Sequence, residues 1–297
     1  MNAMPHPACV VEIAPNRIAA AHWGKAPGQL DAFAAEPLPV GAVMPSPVEV
    51  NVLQSETVTA ALGRLFTRVP HHGAPLALLI PDPVVRVFIL PFDTLPRRPE
   101  EAIPLLRWRL KKSVPFDVEE TVISSMRQEG RGSKLELVAA IARQKILREY
   151  EQCVEAAGAH AVVVLSSTLA SLPLVEERGA ALLVRMSGKT LTTVIVRGRN
   201  LCVYRSSEMA PDLAPRAMLE EIYPAIAFYQ DTWGESIDRA RLAGVGPGGG
   251  AYHRELEEEL GVPVGGLEDT VELGSGAKDL IRQDMDALAG WMLNAGA

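Results

Sequence analysis

Two short runs of this chain set its chemical question. VVEIAPNRIAAAHW (residues 10–23) and LLVRMSGKTLTTVIV (residues 182–196) each read as an apolar strand, a tight polar turn and a second apolar strand. An acid beside such a turn is well placed to serve a metal ion, and the first run carries Glu12 there. The second carries Arg185, a fixed cation. An arginine where a metal shell needs an anion reverses the interaction, by on the order of 1 to 4 kcal/mol per close charge pair at surface-like dielectric. A third feature is the glycine run Gly244, Gly246, Gly248, Gly249 and Gly250 inside ARLAGVGPGGGAYHRELEEELGVPV, which reads as strand, glycine loop, helix, glycine stop and strand. Such a loop lies at the carboxyl end of a strand, where α/β folds bind ligands. A plain loop is nevertheless the commoner meaning of a glycine run, and the helix after it carries Glu255, Glu257, Glu258 and Glu259, which repel a polyphosphate unless they face away.

Other reactive constellations are missing from the pattern. Six scattered histidines give no preferred geometry for a Ser-His-Asp or Cys-His arrangement, and no paired carboxylates stand out, so neither a catalytic residue nor a metal ligand is assigned. The adjacent His71 and His72 lack a third ligand at useful spacing and read as a solvated turn. A net charge of -7 over 297 residues argues against nucleic-acid binding, which needs a basic footprint. Cys9, Cys153 and Cys202 are odd in number, far apart and set in apolar runs, as expected for buried thiols in a reducing compartment. The most apolar stretch, Ala159 to Val175, is interrupted by His160, by Ser166 to Thr168 and by Ser171, and no basic region precedes the first apolar run. The expectation is a cytoplasmic protein that reaches a membrane only through partners.

The remaining elements must position Glu12, Arg185 and the glycine run. The spacing of Val58, Ala61, Leu62 and Leu65 predicts a helix over 56–68, followed by strands at 76–81 and 84–91. A helix over 99–113 follows, with Pro99 in its first turn and Pro104 inside it. Strands at 121–128 and 134–142 flank the turn EGRGS, a helix over 144–157 stops at Gly158, and AHAVVVL is the next strand. A strand at 200–207 extends the second hairpin, and a helix at 219–233 carries Leu219, Ile222, Ile226, Tyr229 and Trp233 on one face. A last helix over 277–293 has Ile281, Met285, Leu288 and Met292 as its apolar stripe and Asp279, Asp284 and Asp286 on its polar face. The segment Arg97 to Lys112 holds six basic residues (Arg97, Arg98, Arg107, Arg109, Lys111, Lys112) against Glu100 and Glu101. A solvated helix face is the common meaning of such a run; a surface for an acidic partner or an anionic inner leaflet is the other.

Two half-chains that each open with a β-hairpin, followed by a late strand, glycine loop and helix, resemble the actin and Hsp70 type of ATPase fold. The stretch LPFDTLPRRPEEAIPLLRWRLKKSVPFDVEETVISSMRQ (90–128) is similar to the PilM family of type IV pilus assembly proteins, in which a Leu-Pro segment, a helix and a Pro-aromatic step precede a strand. The resemblance implies an α/β, actin/Hsp70-like (ribonuclease H-like) duplicated fold with an inserted small α/β subdomain. The first half is then 1–178 with the insertion at about 75–165, and the second, 179–297, is reduced in size.

The resemblance also implies where a nucleotide would bind. In actin-like ATPases each hairpin presents Asp-x-Gly, the acid orienting hydrated magnesium and the glycine letting backbone amides approach the phosphates. Here the first turn reads Glu12-Ile13-Ala14 with Asn16 beyond it, and the second Arg185-Met186-Ser187-Gly188. With the adenosine-loop positions Gly244, Gly246 and Gly248 these are vestigial nucleotide motifs. The helical subdomain usual between the strand at 200–207 and the helix at 219–233 shrinks to residues 208–218. No cofactor is therefore expected, ATP and magnesium being disfavoured. The implied role is a pseudo-ATPase scaffold that binds the cytoplasmic N-terminal segment of a PilN-like inner-membrane protein, with other pilus platform or motor proteins as further partners. The segment VVRVFILPFDTLP would line the peptide cleft, through Arg86, Phe88 and Leu90 on one face of its strand. The alternative is an ATP-binding switch of the same family that tolerates Glu12 and Arg185; a small-molecule kinase would need a catalytic acid that is not found.

Overall fold

The computed structural model describes residues 6–24, 29–71, 73–94, 98–130, 135–175, 178–210, 213–246, 249–269 and 274–293. Gly248, His72 and Arg97 lie outside the described residues.

The two hairpins open two five-stranded sheets of the same design. The first is built from β1 (Cys9–Ile13), β2 (Arg17–Trp23), β3 (Leu30–Pro37), β4 (Leu76–Ile80) and β8 (Ala161–Ser166), in the order β3-β2-β1-β4-β8. The second uses β9 (Ala180–Ser187), β10 (Thr190–Arg197), β11 (Asn200–Glu208), β12 (Arg239–Ala243) and β13 (Val264–Gly266), in the order β11-β10-β9-β12-β13. In each, an antiparallel three-strand meander is extended on the side of its first strand by two parallel strands. Strands β1, β4 and β9 are covered on both faces, which explains why they read as apolar runs broken by at most one charge.

Period-two alternation decides where the charged residues go. In β1, Val11 and Ile13 enter the core against the helices α1 (Ser55–Arg68) and α3 (Gln144–Ala156), whereas Val10 joins a central cluster shared by both sheets. In β9, Leu182 and Val184 pack under α5 (Pro215–Trp233) and α6 (Gly250–Leu260), whereas Ala181 and Leu183 enter the same central cluster. Glu12 continues the row of Val10 and Arg185 that of Ala181 and Leu183, so the two charges are aimed at each other through the interior.

A separate three-stranded antiparallel sheet, order β5-β7-β6, is made of β5 (Arg86–Phe92), β6 (Thr121–Glu129) and β7 (Leu135–Arg143), with α2 (Pro99–Leu110) between β5 and β6. Its register fixes two faces. Phe88, Leu90 and Phe92 share small apolar cores with Leu106 and Leu110 of α2, and Val87, Ile89 and Val138 pack onto the central cluster. β4 and β8, placed by the sequence within an insertion at 75–165, are strands of the first large sheet. They pair with each other in parallel, so the independent sheet starts only after Ile80.

The last helix is also corrected. The expected single helix over 277–293 is two, α7 (Ser275–Arg282) and α8 (Asp286–Leu293), broken at Asp284, the one described non-glycine residue with positive φ, 58°. Every residue of α8 from Asp286 to Met292 is buried. α8 follows from the second half yet packs on α4 (Ser167–Ser171), β1 and β2 of the first. Asp286 is therefore not on a solvated face. Docking of α8 depends on Gly290, since a Cβ there would stand 2.2 Å from the Ala170 carbonyl oxygen and 2.6 Å from the Ser171 Cα. Neither backbone atom can rotate away. Gly290→Ala is expected to cost about 2 kcal/mol or more by forcing the two helices apart, read as a lower urea midpoint; an unchanged midpoint would show that α8 is loosely held.

Candidate functional site

Arg185 ends up in the middle of the molecule, 3% exposed, surrounded by three carboxylates from three different elements. Its Nε donates to Asp286 Oδ2 at 2.8 Å and its Nη2 to Asp286 Oδ1 at 3.4 Å, a two-pronged pair with the first residue of α8. Nη2 also donates to Glu12 Oε1 at 3.2 Å, and Nη1 lies 3.8 Å from Asp82 Oδ2. Asp82 begins a short 3-10 turn (Asp82–Val84) just after β4. Arg17, across the first hairpin, sits 3.5 Å from the other oxygen of Glu12 and donates to the Asp284 carbonyl at the α7–α8 break.

Asp82 is further saturated by neutral donors. It accepts from the Thr168 backbone N–H (2.9 Å) and hydroxyl, from Thr192 Oγ1 (2.9 Å) and from the Tyr204 hydroxyl (3.1 Å). Burial and the Asp82 charge push the Tyr204 hydroxyl well above its usual range, so it stays protonated and donates.

The charges do not balance one to one. Glu12, Asp82 and Asp286 face two guanidinium groups, which leaves one excess negative charge. Burial alone raises the proton affinity of Glu12, but the charges of Arg185 and Arg17 win and hold its carboxyl below the usual range. For Asp286 burial prevails over the pull of Arg185, with Glu12 adding repulsion, and its carboxyl is raised. Burial also opposes the charge on Arg185, but Asp286, Glu12 and Asp82 together raise its pKa further, so it is always charged. The two acids shift in opposite directions because Glu12 has Arg17 and a hydrogen bond from Ser167 in addition to Arg185, whereas Asp286 is ion-paired with Arg185 and repelled by Glu12.

The other expected motif residues divide. Ala14 is buried and closes the first turn through its N–H to the Arg17 carbonyl, 2.9 Å. Asn16 is exposed and accepts from the Leu38 N–H, away from the cluster. Ser187 is half-buried; Gly188, at φ 58°, brings the second turn against Pro15 of the first, where a Cβ would stand 3.2 Å from the proline ring. Gly244 has φ 70°, and a Cβ there would fall 1.9 Å from the Met186 carbonyl oxygen, so this glycine packs the loop onto β9. Gly244, Gly246 and Gly249 line a cleft of about 660 Å³. None of the four glutamates of α6 lines it, and Arg216 engages two of them, Glu255 (3.6 Å) and Glu259 (3.5 Å). The acids on its wall are instead Glu268, Asp269, Asp284 and Asp286.

The expected peptide face on β5 is partly taken up in packing. Phe88 and Leu90 are only partly exposed and pack into the core against Leu110, Val118 and Ile141, and Arg86 is half-buried beside them on the strand. Leu135 at the start of β7 is exposed, but the two most exposed apolar residues of this sheet lie on β6, Val122 at 46% and Met126 at 60%. Register places them opposite Ala142 and Val138 of β7, on the sheet face that enters the main body farther in.

Sequence reasoning missed Asp82, Asp286, Arg17, Thr168, Thr192 and Tyr204. Two signals were there: Asp286 heads the otherwise apolar run ALAGWML, and Asp82 interrupts the strand-rich stretch LALLIPDPVV. A charge in such a setting needs a buried partner.

Arg185→Met, which keeps volume but removes the cation, is expected to cost about 3 to 5 kcal/mol at neutral pH because it strands buried carboxylates. Without the guanidinium those carboxyls have folded pKa values above their unfolded values near about 4. Their contribution to stability is then fullest below that range and is lost as pH rises through the folded values. Urea unfolding should thus find the deficit smaller in acid than at neutral pH. A variant as stable as wild type at neutral pH would show that the cluster holds nothing together.

No protein-family model matches the sequence, and no curated protein is significantly similar to it. Solved structures do match. A chain of a PilM-PilN type IV pilus biogenesis complex superposes with a TM-score of 0.77 at 18% identity, covering 98% of this chain and 99% of that one. The ethanolamine utilization protein EutJ from Carboxydothermus hydrogenoformans gives 0.53 at 10% identity over 98% of this chain and 91% of that one. A weaker match, TM-score 0.49 at 11% identity, is a Bacteroides thetaiotaomicron protein described as having an actin-like ATPase fold; it covers 97% of this chain and 98% of that one. With two hairpin-led sheets of identical order around one interior, the chain has the duplicated actin-like ATPase fold, and it is similar to the PilM-PilN structure over nearly its whole length.

Proposed function

We propose that this protein is a non-catalytic, actin-like adaptor of a type IV pilus or related secretion machine, which works in the cytoplasm and binds the N-terminal segment of a PilN-like inner-membrane protein. The observation that carries the non-catalytic part is the buried Arg185. A magnesium-nucleotide would need Glu12 free for the hydrated ion and an acid in place of Arg185, but Glu12 already accepts from the Arg185 guanidinium at 3.2 Å, and that guanidinium is held by Asp286 at 2.8 Å. Admitting the ion means expelling Arg185 from its partners, at a cost of about 3 to 5 kcal/mol. That weakens binding by roughly a hundred- to several-thousand-fold. The residues present do not fit magnesium-ATP, and no chemical step is assigned to them.

An ATP-binding switch has one observation in its favour, the cleft of about 660 Å³ beside the glycine loop. Its acidic wall works against a polyphosphate. In addition, α8 carries the chain across from the second half into the core of the first, which opposes the opening and closing of a switch.

The partner reading draws on the likeness to the PilM-PilN structure and on β6. This strand pairs with β7 alone among the described residues and leaves Val122 and Met126 bare on its inward face. Arg143 at the end of β7 donates to the Val48 carbonyl (2.8 Å) and pairs with Glu120 (3.3 Å), holding the loop with exposed Met44 and Val50 beside the start of β6. An extended peptide can add to the β6 edge by main-chain hydrogen bonds and lay apolar side chains on Val122 and Met126.

Two measurements test the reading. Titration calorimetry with magnesium-ATP is expected to show no binding; micromolar binding that weakens on Glu12→Ala would establish the switch instead. Co-purification with the PilN-like protein is expected for wild type and to weaken about tenfold for Met126→Glu, whose exposure leaves the thermal midpoint unchanged. Phe88→Ala is expected to lower stability by about 1 to 3 kcal/mol. If Met126→Glu binds as wild type does, the peptide docks elsewhere.

A further inference from the structure

Helix α2 carries a feature that neither the ion cluster nor the partner reading uses. Its inner face, Ala102, Leu106 and Leu110, is buried on the three-stranded sheet. On its outer face Trp108 is 76% exposed, more than any other aromatic residue among the described ones. Lys111 and Lys112 follow one turn later, at i+3 and i+4, both exposed and neither with an ion-pair partner among the described residues.

The neighbouring charges are already engaged. Arg107 lies 3.7 Å from Glu119, Arg109 donates to the Pro91 carbonyl at 2.7 Å and stacks 4.7 Å from the Phe92 ring centroid, and Glu120 belongs to Arg143. Asp117 caps the short turn that follows, accepting from the Glu119 N–H at 3.0 Å. The two lysines are left as uncompensated positive charge on a protein of net charge -7. Cations at a helix C-terminus are favourable to the helix itself, which accounts for the lysines but not for a bare tryptophan beside them.

We propose that this face of α2 is a membrane-contact surface that takes an anionic lipid bilayer directly. The pairing of residue types fits that occupant. An indole sits at the headgroup level with its apolar body inward and its N–H in the wet layer, while lysines beside it meet lipid phosphates. The face is also a helix ridge on the outside of a sheet, which suits a deformable planar surface better than it suits an extended peptide. The surface is separate from β6 and does not rest on the partner reading.

Flotation of the full chain with vesicles tests it, using equal parts of phosphatidylcholine and phosphatidylglycerol against phosphatidylcholine alone. The protein is expected to float with the anionic vesicles only and to be released by salt. Trp108→Ala and the double variant Lys111→Glu/Lys112→Glu are each expected to lower the bound fraction about tenfold or more, with unchanged thermal midpoints that show the fold intact. The vesicles contain no protein, so this result is independent of the fate of the pilus-partner reading. Equal recovery on both vesicle types, or variants that float as wild type does, would overturn the proposal. Concentration-dependent self-association abolished by Trp108→Ala, without flotation, would overturn it too and assign the face to a second copy.

Discussion

The arrangement of this molecule depends on one buried cation held by three acids. Arg185 lies on the second sheet, Glu12 on the first, Asp82 on the short turn just after β4, and Asp286 on the helix that returns from the second half to the first. No pair among them would be worth burying alone, because removing a carboxylate and a guanidinium from water costs as much as their attraction returns. The cluster persists because Arg185 is shared by three carboxylates, because Glu12 and Asp82 have further donors, and because the surrounding strands are committed by their own apolar faces. Its energetic meaning is therefore conditional: with all members present it adds little net stability, but the loss of one leaves charges that the interior cannot solvate. Such a cluster specifies how the two halves meet more than it strengthens them.

Much of this was legible in the sequence, and the reason is periodicity. Strands β1 and β9 are apolar on both faces with a single charge each, and alternation of side chains aims those charges at one interior. The duplicated hairpins, the glycine loop and the helices α1, α3 and α5 follow from patterns shorter than about twenty residues, which is the range over which local physics fixes structure. The break at Asp284 was not legible, because Ile281, Met285, Leu288 and Met292 keep a helical stripe straight through it; Arg17 capturing the Asp284 carbonyl is a contact 267 residues away in sequence. Asp286 was misplaced for the same reason. The amphipathic pattern assigned it to water, and only the long-range partner Arg185 explains why it is inside.

The ambiguity of Phe88 has a different origin. Strand β5 is apolar on both sides, and one sequence does not say whether an apolar face meets the core or a ligand. The structure resolves this through the width of the sheet. α2 packs on one face and the central cluster on the other, so Phe88 and Leu90 join small cores while staying partly exposed, and the most exposed apolar residues of the sheet, Val122 and Met126, lie on β6. An edge strand with bare apolar residues is a liability unless something covers it, which is why β6 rather than β5 is the informative strand.

These constraints point in one direction. In a nucleotide-dependent switch the cleft between the halves must change its contents, and the energy of that exchange drives motion. Here the contents are covalently part of the chain. Arg185 cannot dissociate, Asp286 anchors a helix whose residues are buried from Asp286 to Met292, and Gly290 brings that helix into backbone contact with α4. On the reading proposed above, a ligand shifts this equilibrium only by displacing Arg185 from its carboxylate partners. Under the proposed reading, binding falls to the outer faces, and two of those that carry exposed apolar residues are β6, with Val122 and Met126, and the outer side of α2, with Trp108, both on the three-stranded sheet, which has no counterpart among the described residues of the second half.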